Sequence, residues 1–294
     1  MSHLVECVPN FSDGRHPDIL AAIVSAIAAV PAVKVLDYSA DVDHNRSVVT
    51  FVAPPETVVD AAFAGIATAA KLIDLDQHTG EHPRMGATDV CPFIPLEGVT
   101  LEQCVALAQT LGERVGQELH IPVYLYEAAA TRPERQNLAD VRRGGYETIK
   151  ATIATDPARE PDYGPKQVGA AGAIAIGARD FLVAFNVFLT TSDVTIAKRI
   201  AKAIRHSSGG LRFVKAIGLD VDGKAQVSMN LTHYKRTPLH RVVEMIRREA
   251  ARYGVGIASS ELIGLIPQDA LLDAAVWYLQ LDEAVKDRVL ESRL

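Results

Sequence analysis

At 294 residues, with 48% hydrophobic and 22% charged side chains, the chain has room for one large domain or two small ones and the composition of a soluble globular protein. A formal net charge of −6 excludes the basic footprint of a general nucleic-acid binder, though a local cationic pocket for a small anion is compatible with it. Three cysteines, Cys7, Cys91 and Cys104, are too few and too widely spaced for a disulfide framework, which points to a reducing cytoplasmic setting. Glu6, Asn10 and Asp13 interrupt any leader-like apolar run, and no apolar stretch is long enough to span a membrane.

In chain order, His3 to Val8 reads as a strand and Ile19 to Val30 as an amphipathic helix closed by Pro31. Val33–Tyr38 and Ser47–Val52 read as a hairpin around the polar turn at 41–46. A second helix starts at Pro54-Pro55-Glu56 and carries Val58, Ala61, Ala62, Ile66, Ala69 and Ile73 at helical spacing. His78 to Pro95 reads as a loop, Thr100 to about Glu118 as a helix and Ile121–Tyr126 as a strand. Residues 132–178 form a long connection, and from Asp162 onward its prolines and glycines predict a loop.

The second half repeats the pattern. Phe181–Leu189 is a strand, and Thr191-Ser192-Asp193 caps a helix reaching about His206. Phe213–Val221 and Ala225–Leu231 flank an Asp222-Gly223 turn, followed by a helix over 238–253 and a strand over 256–263. Pro267 to Gln280 is an extra helix. Each half thus reads β-α-β-β-α-β, the order of a ferredoxin-like split unit. The expected fold is α+β: two tandem ferredoxin-like subdomains with mixed or antiparallel sheets, residues 1–178 and 179–294.

The chemistry concentrates in His78 to Pro95, which holds two histidines, two acids and an arginine among glycines and prolines. Pro83 biases His82 towards extended geometry, so its imidazole projects from a loop and can exchange a proton near neutral pH, or can be a partly buried structural histidine. His78 and His82, with Cys91 nearby, have the spacing of a helical zinc motif, but Gly80 and Pro83 break that helix and no metal is expected. Arg46 and Arg84 could clamp a carboxylate, or pair with Asp43 and Asp89. Asp37 and Asp41 could orient an amidine or a histidine, or serve as turn residues. Tyr163, Gly164, Pro165, Lys166, Gln167, Val168, Gly169, Ala170, Ala171 and Gly172 read as a flexible linker or as a glycine-lined approach to a flat ligand. Lys198, Arg199, Lys202 and Arg205 lie at helical spacing and read as a solvated face.

The run His78-Thr79-Gly80-Glu81-His82-Pro83-Arg84-Met85-Gly86, continuing through Asp89-Val90-Cys91-Pro92-Phe93-Ile94-Pro95, resembles the active-site segment of the glutamate formiminotransferases. The resemblance extends to Leu4–Ser12, Asn45-Arg46, 122–126 and 271–275, and so over essentially the whole chain. It implies two formiminotransferase subdomains with a substrate crevice between them. The implied reaction transfers the formimino group of N-formimino-L-glutamate to N5 of tetrahydrofolate in histidine degradation, with His82 as the catalytic base, residues 163–172 as the folate-binding loop and a homodimeric assembly. Ser39 stands where the family has an Asp, which shifts the expected acidic role to Asp37 or Asp41. The chain resembles only the transferase half of the bifunctional members, so another enzyme is expected to process the product. Rival readings are transfer of a formyl group, metal-assisted hydrolysis and a non-catalytic binding module, none of which involves nucleic acid or a membrane.

Overall fold

The computed structural model describes residues 3–80 and 83–293 and divides into two units, Met1–Arg179 and Asp180–Leu294. In the first unit β1 (Leu4–Cys7) and β2 (Asn10–Phe11) are followed by α1 (Pro17–Ala28), β3 (Lys34–Asp41), β4 (Arg46–Ala53) and α2 (Pro55–Leu72). Next come β5 (Thr88–Glu97), α3 (Leu101–Arg114), β6 (Val123–Glu127), α4 (Leu138–Val141), α5 (Gly145–Thr152) and β7 (Ile174–Ala178). Strand β4 lies between β3 and the β1/β2 pair; β1 and β2 also pair with β5, all antiparallel. Parallel pairing then adds β7 to β5 and β6 to β7, giving a mixed sheet of seven strands.

Local chemistry sets these elements. Pro55, in the first turn of α2, supplies the backbone angle that a helix start favours. Thr100 and Gln103 form a capping box on α3: Gln103 N donates to Thr100 Oγ1 at 3.3 Å and Thr100 N to Gln103 Oε1 at 2.8 Å. Ile23 and Ile27 of α1, Ala62 and Ile66 of α2, and Ala108 and Leu111 of α3 pack on Val5, Phe51 and Phe93 in one apolar core. After α3 a π-helical turn, Val115–Leu119, ends in left-handed His120.

Two elements differ from the sequence reading. The segment read as a loop through Pro95 becomes strand β5 from Thr88, with Val90, Cys91, Phe93 and Ile94 buried. Pro92 and Pro95 suggested a break because proline cannot donate to a ladder, yet β5 accommodates both inside the sheet. The fourth strand of the first β-α-β-β-α-β series is therefore β5; α3 and β6 lie beyond it. Strand β7 lies in what read as connection.

The second unit runs β8 (Val183–Leu189), α6 (Val194–Ile204), β9 (Val214–Val221), β10 (Lys224–Leu231), α7 (Leu239–Ala251), β11 (Ile257–Ile263) and α8 (Gln268–Leu279). Its four strands are antiparallel in the order β11-β8-β10-β9. Asp222 and Gly223 both take positive φ, 50° and 73°, as the tight hairpin turn requires. Ile200 and Ile204 of α6 and Val242 and Ile246 of α7 share a core with Val187, Val227 and Met229. His240 stacks on Trp277 of α8 at 4.9 Å. No helix among the described residues is long and apolar enough to cross a membrane.

Candidate active site

The loop between α2 and β5 is held at both ends. At its start, the ring Nε2 of His78 lies 3.1 Å from the Asn45 carbonyl, and Asn45 Nδ2 donates to the Thr79 carbonyl at 2.9 Å. Asn45 itself takes a left-handed turn, φ 48°, and its Oδ1 receives Gly14 N at 2.9 Å. Gly80 crosses so close to this hairpin that a Cβ would lie 2.7 Å from the His44 carbonyl. At the loop's far end Arg84 folds back: its Nη2 donates to the His78 carbonyl at 3.1 Å and to Glu147 Oε1 at 2.9 Å. Tyr146 N donates to the Arg84 carbonyl at 2.8 Å. Arg84 thus staples the two ends of the segment that carries Glu81 and His82, both of which lie outside the described residues. Burial lowers the pKa of His78, favouring a neutral ring.

Past the staple lies a buried cluster of charge. Met85 N donates to Asp89 Oδ1 at 2.9 Å, and Asp89 Oδ2 accepts from Arg142 Nη2. Arg46 Nη2 donates to Asn10 Oδ1. Burial, reinforced by the nearby Arg142, lowers the Arg46 pKa to about 10. Burial pushes the Asp89 carboxyl up, against the pull of Arg142 and Arg46.

Asp41 is exposed and accepts from His44 N and pairs with His44 Nδ1, both at 2.8 Å. Against the cost of desolvation, those bonds hold its carboxyl below the usual value. Asp37 lies opposite Thr50 on edge strand β3, four residues from Asp41 along the strand. The structure therefore draws Arg46 and the root of the His78–Arg84 loop together and leaves Asp37 apart.

Residues 163–172 are anchored at both ends and open in the middle. The Tyr163 ring sits against Gly112 of α3, 3.0 Å from where a Cβ would be, and a Cβ on Gly116 would lie 2.6 Å from Gly164 N. Val123 N donates to the Tyr163 carbonyl at 2.9 Å. Pro165 and Gln167 flank Lys166, which pairs with Glu160 at 2.5 Å, and Val168 is buried. At the far end Leu75 N bonds the Ala170 carbonyl at 2.9 Å, Ala87 N the Ala171 carbonyl at 2.8 Å and Ala173 N the Met85 carbonyl at 2.8 Å. Gly172, at φ 74°, leaves only 2.4 Å between a would-be Cβ and the Met85 carbonyl, so that position demands glycine. Around Gly169 a Cβ would meet nothing within 4 Å. Between its two fixed ends the segment carries an exposed Lys166 and open backbone at Gly169.

Sequence reasoning missed Asn10, Asn45, Tyr146, Glu147 and above all Arg142, and it read Asp89 only as a surface-pair partner. Arg142-Arg143-Gly144-Gly145 lies inside the stretch 132–178, which read only as a long connection. Cys91 is buried in the core with its Sγ 3.5 Å from Cys7 Sγ. Among the described residues no three His, Cys, Asp or Glu side chains gather as metal ligands would.

Comparison with known proteins agrees in every part of the chain. The sequence profile of the formiminotransferase domain's N-terminal subdomain matches residues 4–179, and that of the formiminotransferase domain matches residues 184–292. A glutamate formimidoyltransferase of Thermoplasma acidophilum is 53% identical over 99% of this chain and 97% of its own length. One from Streptococcus pyogenes is 46% identical over 100% and 99%. The formimidoyltransferase-cyclodeaminase of Mus musculus is 44% identical over 100% of this chain and 57% of its own length.

Proposed function

The chain belongs to the formiminotransferase family, and from that membership we propose that it transfers the formimino group of N-formimino-L-glutamate to N5 of tetrahydrofolate, a step of histidine degradation. The observation that carries the reading is the full-length match to two glutamate formimidoyltransferases. The stapled loop and the anchored 163–172 segment, joined through Met85 and Ala87, support it. Tetrahydrofolate supplies the nucleophilic nitrogen as cosubstrate, and no metal enters the reaction.

In this reading His82 accepts the proton that N5 loses as it attacks the formimino carbon. It then returns that proton to the glutamate nitrogen as the carbon–nitrogen bond breaks. One imidazole near neutral pKa serves both transfers, contributing about 10²- to 10⁴-fold. The neighbouring His78, kept neutral by burial, fixes the start of the loop. Arg84 closes the loop, and holding both substrates in one site removes much of the entropic barrier. Lys166 exchanges Glu160 for the acidic tail of the folate, while Gly169 and Ala170 admit its ring. Arg46 meets the donor's acid, and Asp41 steadies the hairpin tip through His44.

The reading includes the finer architecture: a ferredoxin-like core in each unit, divided near residue 178, in a cytoplasmic homodimer. The order β11-β8-β10-β9 with two helices supports the core of the second unit. Cys7, Cys91 and Cys104 are all unbridged, as suits a reducing compartment.

Replacing His82 tests the proposal. His82→Ala should lose glutamate release by about 10²-fold or more while tetrahydrofolate affinity, measured by calorimetry, stays near wild type. Wild-type turnover in that variant would remove His82 from the reaction.

A further inference from the structure

Among the described residues, the buried and half-buried charges beside the loop root do not balance. Arg46 and Arg142 lie close enough to repel one another, and both act on the single buried acid Asp89, which is 2% exposed. Asp89 gives one oxygen to Arg142 and the other to Met85 N, so no Asp89 oxygen is bonded to Arg46. Arg46 turns to the neutral amide oxygen of Asn10. The other acid acting on it, Asp41, is exposed and engaged by His44. The Nε–H groups of both guanidiniums are buried with no acceptor among the described residues. A cation taken out of water without its own counter-charge, with donors left idle, is costly to keep.

We infer that Arg46, Arg142 and Asn10 form a subsite for one carboxylate of the glutamate moiety, with Asp89 as the positioning residue that ties this subsite to the root of the His82 loop. This rests on the function proposed above and names where its donor is held. The charge count selects the ligand: two guanidiniums and one aspartate leave a single positive charge, which a carboxylate neutralises and a phosphate dianion would overshoot. The planar fork of an arginine also suits a carboxylate. Arg84 is not part of the subsite, because its Nη2 holds the loop closed. Met85, whose N–H bonds Asp89, is three residues from His82 in sequence, so Asp89 acts at the root of the loop that carries the base.

N-acetyl-L-glutamate, which keeps both carboxylates and carries no formimino group, tests the subsite apart from turnover. Calorimetry and thermal melting would compare the wild type with Arg46→Gln, Arg142→Gln and, as a control, the surface Arg143→Gln. The expected result is a loss of affinity of about tenfold or more in the first two variants and none in the third. The same two should raise KM for formiminoglutamate and leave that for tetrahydrofolate unchanged. Without ligand, Arg46→Gln should melt no lower than wild type, because it removes an unmatched buried cation. No binding by the wild type, equal binding by all variants, or a ligand-free Arg46→Gln that melts well below wild type would each overturn the subsite. Binding that depends on these arginines in a protein without transferase activity would keep the subsite and refute the function. Transfer with an unchanged donor KM in Arg142→Gln would do the reverse.

Discussion

The two units use the same alternation of strands and helices but bury different things. In the second, Ile200, Ile204, Val227, Met229, Val242 and Ile246 meet as an apolar core without a charged member. The first has an apolar core of its own, yet it also buries Glu6, Asp89 and Arg135. Arg135 and Asp162 form a matched pair at 2.5 Å, each side chain less than a tenth exposed, and Arg135 also bonds the Glu160 carbonyl. That pairing looks like support for the 163–172 segment. Among the described residues the Arg46–Asp89–Arg142 cluster sets one buried acid against two guanidiniums, and such unbalanced burial is a common mark of functional sites. The contrast separates an apolar core that holds the second unit from a first unit that buries charge beside its apolar core.

The largest effect should come from Asp89→Asn. It leaves two half-buried guanidiniums without their buried acid and should destabilise the protein by about 2–4 kcal/mol in denaturant titrations. A loss under 1 kcal/mol, about the worth of a surface pair, would erase the distinction between the units.

Glu6 sharpens it through pH. Burial pushes its carboxyl up to about 7 from an ordinary 4.5, against the pull of Arg179. The folded state therefore keeps a proton that the unfolded chain releases, and stability falls as pH rises from about 4.5 to 7. Glu6→Gln lacks that fall. Relative to wild type it should gain about 3 kcal/mol at a pH well above 7 and nothing well below 4.5. A constant difference across that range would show that Glu6 is not buried in the charged state.

Ile200→Val, in the apolar core of the second unit, should be the mildest. About 0.5–1.5 kcal/mol of stability should go, with kcat and both KM values unchanged. A kinetic change there comparable to the arginine variants would mean that the second core is not merely scaffold.

Much of this was legible in the sequence because period and capping chemistry are local. The helices at Pro55 and Leu101 and the Asp222-Gly223 hairpin follow from residues within one or two turns of each other. Strand β5 was not legible, because its prolines signal a break and only pairing with β1, β2 and β7 overrides them. The histidine loop stood out by its composition. Its staple did not, because Arg84 and Glu147 are 63 residues apart, and neither did the Arg142–Asp89 pair, separated by 53. Long-range charge pairing leaves no periodic trace. The residues of the 163–172 segment alone favour a flexible linker, because its bonds to Leu75 and Ala87 are long-range and leave no local signal.

The most direct test of the central claim is glutamate release from N-formimino-L-glutamate by the purified protein, without added metal, in the presence and absence of tetrahydrofolate. The account predicts release only with tetrahydrofolate, together with a folate bearing the formimino group on N5. Release without tetrahydrofolate would make the protein a hydrolase and contradict the account, and so would no release in either case.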